Sequence, residues 1–84
     1  MMELEEIKTK LKRFIASDIL NDPDYPVRDD EPLITSGLMD SFALAQIGVF
    51  AEIEFDLYIP DPELTVDRMN TVEDMATRIM EKLK

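Results

Sequence analysis

Asp40 and Ser41 are the residues of this chain whose placing invites chemistry. They stand in "GLMDSF", residues 37–42, where a long polar stretch gives way to "FALAQIGVFA", a run without a charge. A serine at the first turn of a helix commonly acts as a cap, its oxygen accepting a backbone N–H. The same position can instead hold a hydroxyl out for reaction. Backbone N–H groups at a helix start lack helical partners, and the dipole puts partial positive charge there, so a phosphate esterified to the hydroxyl would be well received. The chain has no histidine and no cysteine, and Asp40 is a weak base. Nothing nearby activates Ser41 as a nucleophile, so its hydroxyl reads better as the substrate of another enzyme than as a catalyst. Spacing alone leaves cap and modification site both open.

The elements that must position this pair follow from periodicity. Over 3–20, Leu4, Ile7, Leu11, Phe14, Ile15 and Ile19 recur at helical spacing, with Lys8, Lys10, Lys12 and Arg13 largely outside the stripe. "NDPDYP" stops that helix, and a loop of about twenty residues runs from Asn21 to Asp40, a length that often signals function. Leu33, Ile34, Leu38 and Met39 are expected to anchor its second half, and Gly37 is a candidate for a positive-φ turn. A second helix is expected over 41–55 after Asp40, a preferred N-cap type. Asp61 followed by Pro62 predicts a short helix over 62–68. The last helix opens at Asn70 or Thr71, with Glu73 or Asp74 as capping partners. Its stripe is Val72, Met75, Ala76, Ile79, Met80 and Leu83. "LYIP" could be a short extended piece. The expectation is one all-α domain over 1–84, a small four-helix bundle of three main helices and one short one.

Totals narrow the classes. A chain of 84 residues buries only about 60% of its unfolded surface, so one modest core is expected. Without cysteine there is no disulfide framework and no thiolate metal site, which fits a reducing compartment. No apolar run approaches the ~18–20 residues of a bilayer span, and "MMELEEIKTK" lacks the apolar core of a signal peptide. A cytoplasmic protein, monomeric and without resident metal, is expected. Net charge is −10, and the excess lies in 21–70, where twelve acids face only Arg28 and Arg68. That balance disfavours nucleic acid and suggests basic surfaces on protein partners, or solubility alone. "DPDYPVRDDE" fails the calcium-loop pattern, having proline at a ligand position and no central glycine, and reads as a solvated loop.

The second helix is apolar on all sides. Phe42, Val49 and Ile53 project on one face, with Leu44 and Ala51 opposite. Such a helix is either sandwiched by its neighbours or leaves part of itself as a docking patch. Gly48 costs about 1 kcal/mol relative to alanine inside a helix. Close approach of another backbone or of a bound group would account for it, and so would tolerated drift.

"GLMDSF" followed by "ALAQIGVFAEIEFDLYIP" resembles the acyl carrier proteins and their aminoacyl and peptidyl relatives. The match runs over roughly residues 4–83 in the same order of elements. Asp40, Ser41 and Phe42 occupy the triplet that opens the family's second helix, "EFDLYIPD" at 54–61 is similar to the segment ending it, and "NTVEDMATRI" at 70–79 to the start of the last helix. The resemblance implies a non-catalytic carrier in which Ser41 bears a phosphopantetheine arm from coenzyme A. Cargo would ride as a thioester on the arm's thiol, which is unambiguous because the chain has no thiol of its own. The implied partners are a phosphopantetheinyl transferase that recognises Asp40, an acyl- or aminoacyl-loading ligase, and downstream transfer or condensing enzymes.

The chain also departs from the family. Carriers of fatty acid synthesis usually bear acids early in the second helix, whereas this one has Ala43, Leu44 and Gln46 and no carboxylate until Glu52. The "GLMDSF" turn looks more like stand-alone carriers of specialised pathways, including D-alanyl and other aminoacyl carriers. Partners are expected to dock through Phe42, Leu44, Gln46 and Ile47, with Glu52 as a later anchor. The rival reading is an unmodified helical adaptor, which predicts that Ser41→Ala retains function. A small enzyme using carboxylates would need two of them converging in a cleft.

Overall fold

The computed structural model describes residues 3–83, which are all-helical with no strand among them. Helix α1 spans Leu4–Phe14. It does not end where its α-geometry does. The chain continues through one π-helical turn, Ile15–Ile19, in which the Leu20 N–H bonds the Ile15 carbonyl at 2.8 Å. Asn21, at φ 57°, then breaks the rotation. The expected stripe is in place: Ile7, Leu11 and Ile15 are fully buried, and Leu4, Phe14 and Ile19 pack at its edges.

Helix α2 spans Phe42–Phe55 and ends at Asp56, whose φ of 55° puts it in the left-handed region. After an extended stretch that pairs with no strand but buries Ile59, a 3-10 turn covers Asp61–Glu63. Helix α3, Val66–Met69, follows. The short helix expected over 62–68 is thus two pieces, because Leu64 and Thr65 leave helical geometry. Helix α4 spans Val72–Leu83, and the Thr71 hydroxyl caps it by accepting the Asp74 N–H at 3.0 Å. α1 and α4 pack along each other. Ile7, Leu11, Val72, Met75 and Ile79 are buried in a core that α2 closes with Leu44, Ile47 and Ala51.

Two expectations are corrected here. Lys8 is not outside the stripe: it is 7% exposed, with its ammonium on Asp29 at 3.1 Å. A lysine stem can lie along apolar neighbours while its charged end finds a carboxylate. Likewise "DPDYPVRDDE" is more than a solvated loop. Asp29 is ion-paired with Lys8 and Lys12, and its carbonyl accepts the Glu73 N–H at 3.0 Å. Val27 is buried, and the Tyr25 hydroxyl donates to Glu31 at 2.8 Å. That bond to a carboxylate, followed by burial, raises the Tyr25 pKa above its ordinary value.

Candidate functional site

The approach to Asp40 is held by a residue the sequence had offered only as a helix start. Asn70, at the α3–α4 junction, accepts the N–H groups of Ile34 and Thr35 on Oδ1 at 2.9 and 3.2 Å. Its Nδ2 donates to the Thr35 hydroxyl at 3.1 Å, and its carbonyl accepts the Leu33 N–H at 2.8 Å. With Leu33 buried, these bonds fix the last stretch of the loop to the bundle. Gly37 then turns the chain at φ 85°, the left-handed conformation expected of it, and the Met39 N–H returns to the Leu33 carbonyl at 3.0 Å. Nothing in the sequence marks a partner 36 residues away for Ile34, so Asn70 could not be found by pattern.

At the start of α2 the Asp40 carboxylate accepts the Phe42 N–H at 3.1 Å. The Asp40 carbonyl accepts the Ala43 N–H and the Ser41 carbonyl the Leu44 N–H, both at 3.1 Å. The donors expected to be open for a phosphate are therefore already engaged by this tight first turn. Ser41 is exposed, has helical φ and ψ, and its side chain makes no capping bond. Of the two roles left open for it, capping falls to Asp40. The Ser41 hydroxyl is left to solvent.

The proposed docking residues divide. Phe42 is 82% exposed, and Gln46 and Glu52 also face solvent. Leu44 and Ile47 do not: they are 3% and 0% exposed and belong to the core. The correction has a plain cause. A helix apolar on every side shows no sequence signal for which face turns inward, and here the inner face runs through Ala43, Leu44, Ile47, Ala51 and Phe55. The outer face carries Phe42, Val49 and Ile53, the set that helical projection had grouped, so α2 is not sandwiched on all sides.

Two flanks of α2 are hollowed. Toward α1, a groove of about 560 Å³ is lined by Phe14, Gln46, Val49, Phe50 and Ile53 among others. Phe14 stacks on Phe50 there with ring centroids 4.3 Å apart. Lys10 of α1 reaches Glu54 at 3.1 Å near the groove's end. On the other flank a smaller cavity of about 190 Å³ lies against Tyr58, Ile59, Asp61 and Leu64. Its α2 wall includes Ala45, Gly48 and Glu52. Gly48 is explained at this cavity, and by none of the expected causes. A Cβ there would come within 3.0 Å of Leu64 Cδ1, so a side chain rather than a backbone or a bound group occupies the space.

Among the described residues no group of three or more His, Cys, Asp or Glu is placed to hold a metal ion. No helix among them is long and apolar enough to cross a membrane. Comparison with protein-family models, with curated proteins and with solved structures gave no match to this chain.

Proposed function

We propose that this chain is a carrier protein that holds an acyl or aminoacyl group as a thioester on a phosphopantetheine arm attached to Ser41. The resemblance around "GLMDSF" brings the reading, and one observation supports it most. Asp40 caps α2 while the Ser41 hydroxyl stands exposed and unbonded among the described residues. A serine kept for capping would accept the Ala43 or Leu44 N–H on its side chain, and here the backbone carbonyls of Asp40 and Ser41 take those bonds. The residues fit the arm in two further respects. Ser41 opens a 14-residue helix whose positive end favours an added phosphodiester, and the oxygen is free to be approached by a transferase. With the α2 donors engaged, that phosphate faces solvent. The arm supplies the thiol that the polypeptide lacks.

In this reading the chain itself catalyses nothing and works as a cytoplasmic monomer. Tethering raises the effective concentration of cargo at each partner enzyme. Asp40 serves transferase recognition as well as capping. Phe42, Gln46 and Glu52, which are exposed, remain available for docking, and Leu44 and Ile47 do not. Specialised pathways suit the chain better than general fatty acid synthesis, because no carboxylate appears on α2 before Glu52.

The test is intact mass after incubation with coenzyme A, magnesium and a broad-range phosphopantetheinyl transferase. Wild type is expected to gain one phosphopantetheinyl group and Ser41→Ala none. An unchanged wild-type mass, or an equal gain on the alanine variant, removes the reading. The unmodified adaptor keeps one observation in its favour, the exposure of Phe42, Val49 and Ile53 at 82%, 55% and 79%. It predicts that partner binding survives Ser41→Ala.

A further inference from the structure

We infer that the outer face of α2 pairs with the same face of a second copy of this chain, antiparallel about a two-fold axis. The inference goes beyond the carrier reading and does not rest on it. The first observation is register. Phe42, Gln46, Val49 and Ile53 are all exposed and stand four, three and four residues apart, the spacing of one seam between two packed helices. That spacing reads the same in both directions. An antiparallel copy therefore sets Phe42 against Ile53 of the second copy and Gln46 against its Val49, at both ends alike. A two-fold contact requires this, because the patch has to complement itself.

The second observation is shape. Phe42, 82% exposed, projects at the start of α2. The groove of about 560 Å³ opens further along the same helix and is walled at its far end by Phe50 and Ile53, with Phe14 of α1 beside them. Antiparallel pairing carries the ring of each Phe42 to the level of Ile53 in the other copy, over the stacked rings of Phe14 and Phe50. One end of the helix supplies the knob and the other the hollow, twice over.

The third is charge. At a net −10 the chain repels a copy of itself from its acidic loop. The outer face of α2 lacks that obstacle. No charge occurs from Phe42 to Ala51, and around the groove Asp18 and Glu54 are balanced by Lys10 and Arg13 in the adjoining hollow. Lys10 holds Glu54 at 3.1 Å. A basic partner finds no net charge here to attract it, whereas an identical neutral face docks without penalty. Phe42 alone offers about 150 Å² of apolar surface. With Val49, Ile53 and the groove walls of both copies the contact comes to about 1,000 Å², the lower end of specific interfaces. The pair is thus weak and reversible, and Asp40 near Asp56 of the second copy weakens it further at low salt. It stands in equilibrium with the working monomer and is the idle form, because it covers Phe42 and Gln46.

The first measurement is sedimentation of the wild-type chain from micromolar to millimolar concentration, at low and at high salt. Mass is expected to rise from monomer toward dimer, with a midpoint several-fold lower in high salt, which screens like charge. Amide spectra over the same range should shift at Phe14 and along 42–53, and not in the loop over 21–36. Phe42→Lys and Ile53→Glu, each alone, should weaken pairing about ten-fold or more, as loss of a central anchor does. Their equimolar mixture should pair again. The antiparallel register sets the introduced lysine against the introduced glutamate and leaves the other Phe42–Ile53 contact intact. Urea midpoints close to wild type are expected of both variants, since both positions are exposed. A wild type that stays monomeric throughout overturns the inference. So do shifts centred elsewhere, single variants that pair as wild type does, or a mixture that pairs no better than its components. The transferase assay at Ser41 decides the carrier reading separately, and none of these outcomes touches it.

Discussion

At Asp40 the carboxylate accepts the Phe42 N–H, and this bond rather than one from Ser41 closes the first turn of α2. Cap and charge are separable there. Asp40→Ala is expected to cost about 1 kcal/mol in urea unfolding, and Asp40→Asn to recover most of it, since both natural side chains cap well. If the transferase reads the carboxylate, its loading rate should fall for both variants although only the alanine one is destabilised. Loading that follows stability alone would assign Asp40 a purely structural role. Ser41→Ala, by contrast, removes no capping bond, and its stability should stay within about 0.5 kcal/mol of wild type. Loss of loading in that variant then reports the missing hydroxyl and not an unfolded chain.

α2 carries two apolar faces with different duties. Leu44→Ala should lower unfolding free energy by about 2–5 kcal/mol, as large-to-small changes in a packed core do. Ile53→Ala, at a side chain 79% exposed, should change it by no more than about 0.5 kcal/mol. Similar losses at the two positions would mean that the outer face is packed in solution. Partner docking is therefore to be probed at Phe42, Gln46, Val49 and Ile53. A charge placed at Leu44 would report folding instead, because it would sit in the core without a counter-ion.

Across the whole molecule, Asp29 joins the loop to two helices. Lys12 and Lys8 of α1 bond its carboxylate and lower its pKa, while its carbonyl receives the N–H of Glu73 in α4. The same contact with Asp29, and to a lesser degree with Glu5, raises Lys8 above the ordinary lysine value. The signs follow from linkage. Asp29 binds its proton more weakly folded than unfolded, so its contribution is complete above about pH 4, the unfolded carboxylate value, and is lost as pH falls through the lower folded one. Lys8 contributes below its unfolded value and loses that as pH rises through its higher folded one. Asp29→Asn should therefore lower the urea midpoint at neutral pH, and the gap from wild type should narrow as pH falls below about 4 and through the lowered folded value. A gap independent of pH would mean that the carboxylate's charge contributes nothing, since the backbone bond to the Glu73 N–H is common to both proteins.

What the amino-acid sequence determined by itself was whatever depends on near neighbours along the chain. The stripes of α1 and α4, the Thr71 cap, the turn at Gly37 and the helix start after Asp40 all follow from steps of one to four residues. It could not orient α2, since a helix without a charged residue from Phe42 to Ala51 carries little internal mark of its inner face. Packing against the core made that choice, burying Leu44 and Ile47 and leaving Val49 and Ile53 outside. Nor could it pair Asn70 with Ile34, or Lys8 with Asp29, residues 36 and 21 apart. Such bonds exist only after the chain has folded back on itself, because buried polar groups take whatever partner the tertiary arrangement brings within reach.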